Sequence, residues 1–133
     1  MKVYKLFALL LTFATAWGSH LSAKVIDVKS PNGELNISVD VKDKIYYSVS
    51  YGNDLLLKDC YLNLQLENET LGNNPKLRST KKGVIDESVK REIPLKNAVV
   101  KNHCNTLRMN FAGNYAVEFR VFDNGVAYRF ITD

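Results

Sequence analysis

Period-two alternation of apolar and polar residues runs through most of this chain, and it is sharpest from Val117 to Thr132. Two alternating runs there flank Asp123-Asn124-Gly125, a strong short-range signal for a β-hairpin. Asn-Gly supplies the two positive φ angles that a two-residue type I′ turn requires. Such a turn pairs Asp123 with Val126, Val121 with Tyr128, and Phe119 with Phe130. Val117, Phe119 and Val121 then share one face with Val126, Tyr128 and Phe130, as a half-buried sheet demands. Glu118, Arg120, Phe122, Ala127 and Arg129 occupy the other face.

The earlier chain follows the same rule. Lys24 to Lys29 reads as a short strand, and Ser30-Pro31-Asn32-Gly33 as a turn in which Pro31 fixes φ and Gly33 takes the left-handed position. Glu34 to Val41 places Leu35, Ile37, Val39 and Val41 inward. Lys42-Asp43-Lys44 turns the chain into Ile45 to Tyr51, with Ile45, Tyr47, Val49 and Tyr51 inward. After Gly52-Asn53 come a brief apolar run, Leu55 to Leu57, and a strand from Tyr61 to Glu67 with Leu62, Leu64 and Leu66 inward. From Asn68 to about Pro94 the pattern fails, and the segment reads as a long mobile excursion. Ala98 to Lys101 is a further candidate strand. Thr106 to Ala112 alternates again and turns at Gly113-Asn114 into the final hairpin. About eight short strands with few helical signals describe an all-β antiparallel β-sandwich or barrel.

Ahead of that pattern, residues 1–23 read as a secretory signal: Lys2 and Lys5, an apolar core from Leu6 to about Phe13, then small and polar residues. Ala23 is the preferred cleavage point and Ala16 the alternative. The apolar run is too short for a permanent membrane span, and no Cys near either point suggests a lipid anchor. The expected product is exported, periplasmic or extracellular, with no membrane attachment after signal removal. It keeps all 14 Asp and Glu and loses only two of the 18 Lys and Arg, leaving +2 on about 110 residues. So small an excess gives no electrostatic footprint for nucleic acid. Cys60 and Cys104 lie in an oxidising context, and the sequence leaves their pairing open.

No catalytic constellation stands out. His103, beside Cys104, lacks the spaced partners that a metal site needs and reads as an ordinary loop histidine. Nucleophile elbows and glycine-rich phosphate loops are absent. The carboxylates Asp40, Glu67, Asp86, Glu118 and Asp123 fall at solvent-facing or turn positions. Two features are candidates for ligand or interface contacts. Arg120 faces Arg129 across the expected hairpin, a like-charge pairing that costs about 0.2–1 kcal/mol unless a carboxylate such as Glu118 bridges it. Tyr46 is the aromatic that alternation turns outward, a single stacking surface for a sugar ring.

The run Ser30-Pro31-Asn32-Gly33-Glu34-Leu35, then Ile45 to Gly52, then Leu62-Asn63-Leu64 resembles the opening of the N-terminal domain of glycoside hydrolase family 97. Phe119 to Phe130 resembles that domain's Phe-Asp-Asp-Gly-type hairpin, in the same order. The likeness covers residues 24–133. It implies a super-sandwich of the galactose-mutarotase-like kind, here incomplete, in front of a (β/α)8 barrel domain. It also implies an α-glucosidase or α-galactosidase whose substrate is an α-linked glucoside or galactoside oligosaccharide. In that family the catalytic carboxylates belong to the barrel, and calcium, present in some members, is held there and later in the sandwich. The resemblance therefore carries no catalytic, cofactor or metal residue onto this chain, which is expected to be a non-catalytic portion of such an enzyme. A stand-alone secreted carbohydrate-binding or adhesion module is the alternative.

Overall fold

The computed structural model describes residues 25–90, 92–93 and 99–132, so residues 1–23, expected to be a signal segment, lie outside it. Ten strands form in chain order: β1 (Ile26–Lys29), β2 (Leu35–Val41), β3 (Ile45–Tyr51), β4 (Asp54–Leu62), β5 (Leu64–Gln65), β6 (Thr70–Leu71), β7 (Leu77–Lys90), β8 (Val99–Phe111), β9 (Tyr115–Phe122) and β10 (Gly125–Thr132). β1-β2-β3-β4 make one antiparallel sheet, β10-β9-β8-β7 a second, and β5-β6 a small ribbon. The all-β antiparallel sandwich expected from the alternation is what forms.

The core lies between the two large sheets. Ile37, Val39 and Ile45 from the first meet Leu107, Met109, Val117, Phe119 and Val121 from the second, all fully buried. Burying a side chain of this size stabilises by about 1.5–3 kcal/mol each. β1 lies over β8 and β2 over β9. Tyr47 of β3 reaches Tyr128 of β10, with ring centroids 6.2 Å apart. The sheets are thus offset by one strand: β4 overhangs at one side and β7 at the other. That overhang leaves Leu57 exposed although it pairs with the buried Val49, and Tyr51, expected inside, is exposed at the end of β3. Leu66, also expected inside, is exposed beyond the end of β5.

The first turn forms as its chemistry dictates. Gly33 donates its N–H to the Ser30 carbonyl at 2.9 Å with φ of 79°, and Ser30 Oγ accepts from the Leu35 N–H at 3.0 Å. The free edge of β1 is guarded from the other sheet. Lys82 Nζ donates to the Asp27 carbonyl at 2.6 Å, and Asn105 Nδ2 to the Lys29 carbonyl at 2.8 Å. These two bonds occupy acceptors that an exposed edge would offer to another chain.

Three expectations are corrected. Within the segment from Asn68 to about Pro94, Leu77–Lys90 is no excursion, because β7 runs there for 14 residues paired along β8. Only Ile85 among the β7 residues is even partly buried, so the strand carries no alternation to read. His103 consequently sits in a strand, opposite Asp86. Finally, the last hairpin turns at Asp123-Asn124, pairing Phe122 with Gly125, Val121 with Val126 and Phe119 with Tyr128. Neither Asn124 nor Gly125 has positive φ; Gly113 (94°) and Asn114 (56°) of the preceding hairpin do. The pairing moves by two residues, so every side chain keeps its expected face.

Candidate functional site

Alternation along β9 and β10 places Glu118, Arg120, Phe122, Ala127 and Arg129 on the outer face of the second sheet, where they line a shallow groove of about 260 Å³ with Tyr128. The corrected register sets Arg129 opposite Glu118 and Arg120 opposite Ala127, not the two arginines opposite each other. Glu118 Oε1 accepts from Arg120 Nε at 2.8 Å and from Arg129 Nη2 at 3.0 Å. A single carboxylate thus bridges both guanidinium groups, as the sequence allowed. Burial pushes the Glu118 carboxyl up, but the two arginines outweigh it and hold it below the ordinary carboxylate range. The Glu118 side chain is 12% exposed while that of Arg129 is 57% exposed, so the carboxylate is anchored and the outer guanidinium faces solvent. An arginine has five N–H donors, and the bridge uses few of them.

Cys104 lies on this same outer side and is fully buried, opposite Ile85 of β7. Burial pushes its thiol up, with Arg120 pulling it down only in part. A buried thiol raised in this way is a packing residue, not a nucleophile. Cys60 and Cys104 both carry free thiols.

The second candidate, Tyr46, sits on the outer face of the first sheet. Its hydroxyl donates to Asp43 Oδ2 at 3.3 Å, and burial followed by the Asp43 charge raises its pKa. Pairing of β3 with β4 sets Tyr61 directly across from it. Tyr61 is half exposed, and Lys44 Nζ stands 4.1 Å from its ring centroid. Alternation singled out Tyr46; Tyr61, one residue before the inward Leu62, has outward parity too, but only the pairing of β4 on β3 brings the two together. Asp40, opposite Tyr46, holds Lys42 at 2.6 Å through Oδ2, while its buried Oδ1 has no partner. The two candidates lie on opposite outer faces of the sandwich. Among the described residues no three His, Cys, Asp or Glu side chains converge.

A family model described as Glycosyl-hydrolase 97 N-terminal matches residues 28–133. A retaining alpha-galactosidase of Bacteroides thetaiotaomicron is 29% identical over 109 residues, which are 81% of this chain and 16% of that protein. A beta-arabinopyranosidase crystal structure superposes with a TM-score of 0.72 at 28% identity, over 80% of this chain and 18% of that one. A glycoside hydrolase family 97 enzyme from Pseudoalteromonas sp. strain K8, solved in complex with panose, gives a TM-score of 0.70. There the identity is 22%, over 79% of this chain and 17% of the other. The chain therefore spans less than a fifth of the length of each of these proteins.

Proposed function

The chain belongs to the glycosyl-hydrolase 97 N-terminal family, and from that membership we propose that it serves as the non-catalytic N-terminal β-sandwich portion of an exported α-glycosidase. In that role the sandwich supports a catalytic (β/α)8 barrel and contributes to holding an α-linked glucoside or galactoside oligosaccharide. The family match over residues 28–133 carries the reading. The signal-like residues 1–23 support export to the periplasm or the medium. The hydrolase named from Bacteroides thetaiotaomicron and the enzyme complexed with panose support a glycoside substrate for the whole protein.

The test is hydrolysis of p-nitrophenyl α-glucoside and α-galactoside by the purified chain. No turnover is expected, and clear turnover that survives controls for contaminating glycosidases would overturn the reading.

The adjacency of Tyr46 and Tyr61 favours a second reading, a stand-alone carbohydrate-binding module. Neighbouring aromatic rings on a sheet face offer a surface against which sugar rings stack. Calorimetry with maltooligosaccharides decides this, with Tyr46→Ala as the probe. Saturable heats lost in the variant support the module, and absent heats exclude it.

A further inference from the structure

The outer face of the second sheet carries a row of four residues in cross-strand register. Lys81 pairs with Arg108, Arg108 with Glu118, and Glu118 with Arg129. Arg120 lies one step along the same face and shares the Glu118 carboxylate. Four cations thus stand around one acid, on a chain whose mature charge is only +2. Like charges set directly opposite each other destabilise a sheet. The Lys81–Arg108 pair has that cost, and Glu118 is already engaged by Arg120 and Arg129.

Beyond the basic row the same face carries apolar side chains among polar ones. Ile85 and Phe122 are half-buried there over the buried Cys104, and Val89 is half exposed opposite Val100. Glu87, which accepts from Asn102 Nδ2 at 2.6 Å, separates the Ile85 and Val89 positions along this face. An apolar area beside a charged flank is the composition of a docking surface.

We propose that this face is the docking surface for an acidic protein surface, with carboxylates of the partner set against Arg108, Arg120 and Arg129 and an apolar side chain in the Phe122–Ala127 groove. Charge complementarity selects the partner. The excess of guanidinium donors matches carboxylates, which arginine engages in two-pronged pairs. Glu118 pre-positions two of the three guanidinium groups, lowering the ordering cost of binding. The inference rests on the proposed role as the supporting portion of a larger enzyme, whose remaining domains would present such a surface.

The probe is a synthetic hexapeptide of alternating glutamate and phenylalanine, titrated into the isotopically labelled chain and followed by NMR. Saturable shifts confined to β7–β10 outer-face residues are expected. The affinity should fall about tenfold when Arg108 and Arg129 are both changed to Gln, since each change removes one charge from the face. Both side chains are solvent-facing, and weakening of binding to the unaltered chain by 0.5 M salt gives an independent reading. Absence of saturable shifts, equal binding of a lysine–phenylalanine hexapeptide, or shifts on the first sheet would overturn the proposal. Equal saturation by free citrate would reduce the face to an anion site. A dimer in sedimentation that buries this face would assign it to a second copy instead. None of these readouts measures sugar turnover, so the docking surface and the enzyme-domain reading fail separately.

Discussion

The Asp123 carboxylate accepts a hydrogen bond from the backbone N–H of Asn32 at 2.9 Å, joining two turns that lie 91 residues apart in sequence. One turn closes β1–β2 in the first sheet and the other closes β9–β10 in the second, so the bond clasps the sandwich at one end. Asp123→Ala should lower stability by about 1 kcal/mol, the usual net worth of such a bond. Asp123→Asn keeps an acceptor oxygen and should recover most of that loss. Urea unfolding at neutral pH measures both, and an unchanged midpoint in Asp123→Ala would show that the clasp contributes nothing.

Three glycines should rank clearly when each is changed to Ala. A Cβ at Gly72 would meet the Leu62 carbonyl oxygen at 2.6 Å, and its φ is 90°. That substitution should cost more than about 2 kcal/mol, since strain and a backbone clash add. Gly113, with φ of 94° and only ordinary contacts nearby, should lose about 1 kcal/mol. Gly125 has neither positive φ nor any atom within 4 Å of its missing Cβ, so its change should be nearly neutral. If Gly125→Ala proved the worst of the three, the turn placement would be wrong.

Acid unfolding should involve Glu118. Its carboxyl is held below the ordinary value, so its ion pairs contribute fully above that value and are lost as pH falls through the folded-state pKa. Stability should therefore decline on acidification below about pH 4.5 in the unaltered chain. Glu118→Gln should cost about 1–2 kcal/mol at neutral pH, since it leaves two arginines without their carboxylate. The variant should also show a shallower acid limb. Denaturant midpoints between pH 7 and pH 3 check this, and parallel curves for the two proteins would remove Glu118 from the account.

At the alkaline end the relevant group is Tyr115. Burial raises its hydroxyl pKa, against a backbone hydrogen bond from Gly72 that lowers it. A raised tyrosine stays protonated in the fold while the unfolded chain ionises. Stability is therefore present below the ordinary value of 10.0 and lost as pH rises above it. Tyr115→Phe keeps the ring stacked on Phe111, 5.1 Å away between centroids, and should flatten that loss. Circular dichroism between pH 9 and pH 11.5 reads the difference, and identical alkaline midpoints would count against it.

Strands buried on one side announced themselves in the sequence, and strands buried on neither did not. β2, β3 and β9 alternate because each has one face on the core, and their inward residues were legible as Ile37, Val39, Ile45, Val117, Phe119 and Val121. β7 is held by backbone pairing along β8 and by its overhanging position, so its side chains carry no periodic signal. The final hairpin shows a different limit. Its faces followed from alternation, but its turn did not follow from Asn-Gly chemistry, because the Asp123–Asn32 bond and the packing of Tyr47 on Phe119 and Tyr128 fix the pairing from outside the hairpin. At the candidate site, Glu118 as the bridge between Arg120 and Arg129 was readable from shared parity. The neighbourhood of Tyr61 and Tyr46 was not, because alternation gives each its outward face while the bulged register of β4 on β3, with Asp59 at φ of 48°, sets which residues pair.

Each large sheet is a continuous meander, residues 26–62 in one and 77–132 in the other, with every hydrogen-bonded neighbour adjacent in chain order. Among the described residues no strand crosses from one sheet to the other and returns. Pairing within a sheet therefore closes only hairpin loops, and the distant contacts arise together when the two finished surfaces meet. Folding rate falls as the mean separation of contacting residues grows, so this connectivity should place the chain among the faster-folding sandwiches. Its late barrier would then be the docking of two preformed sheets, not the threading of any one strand.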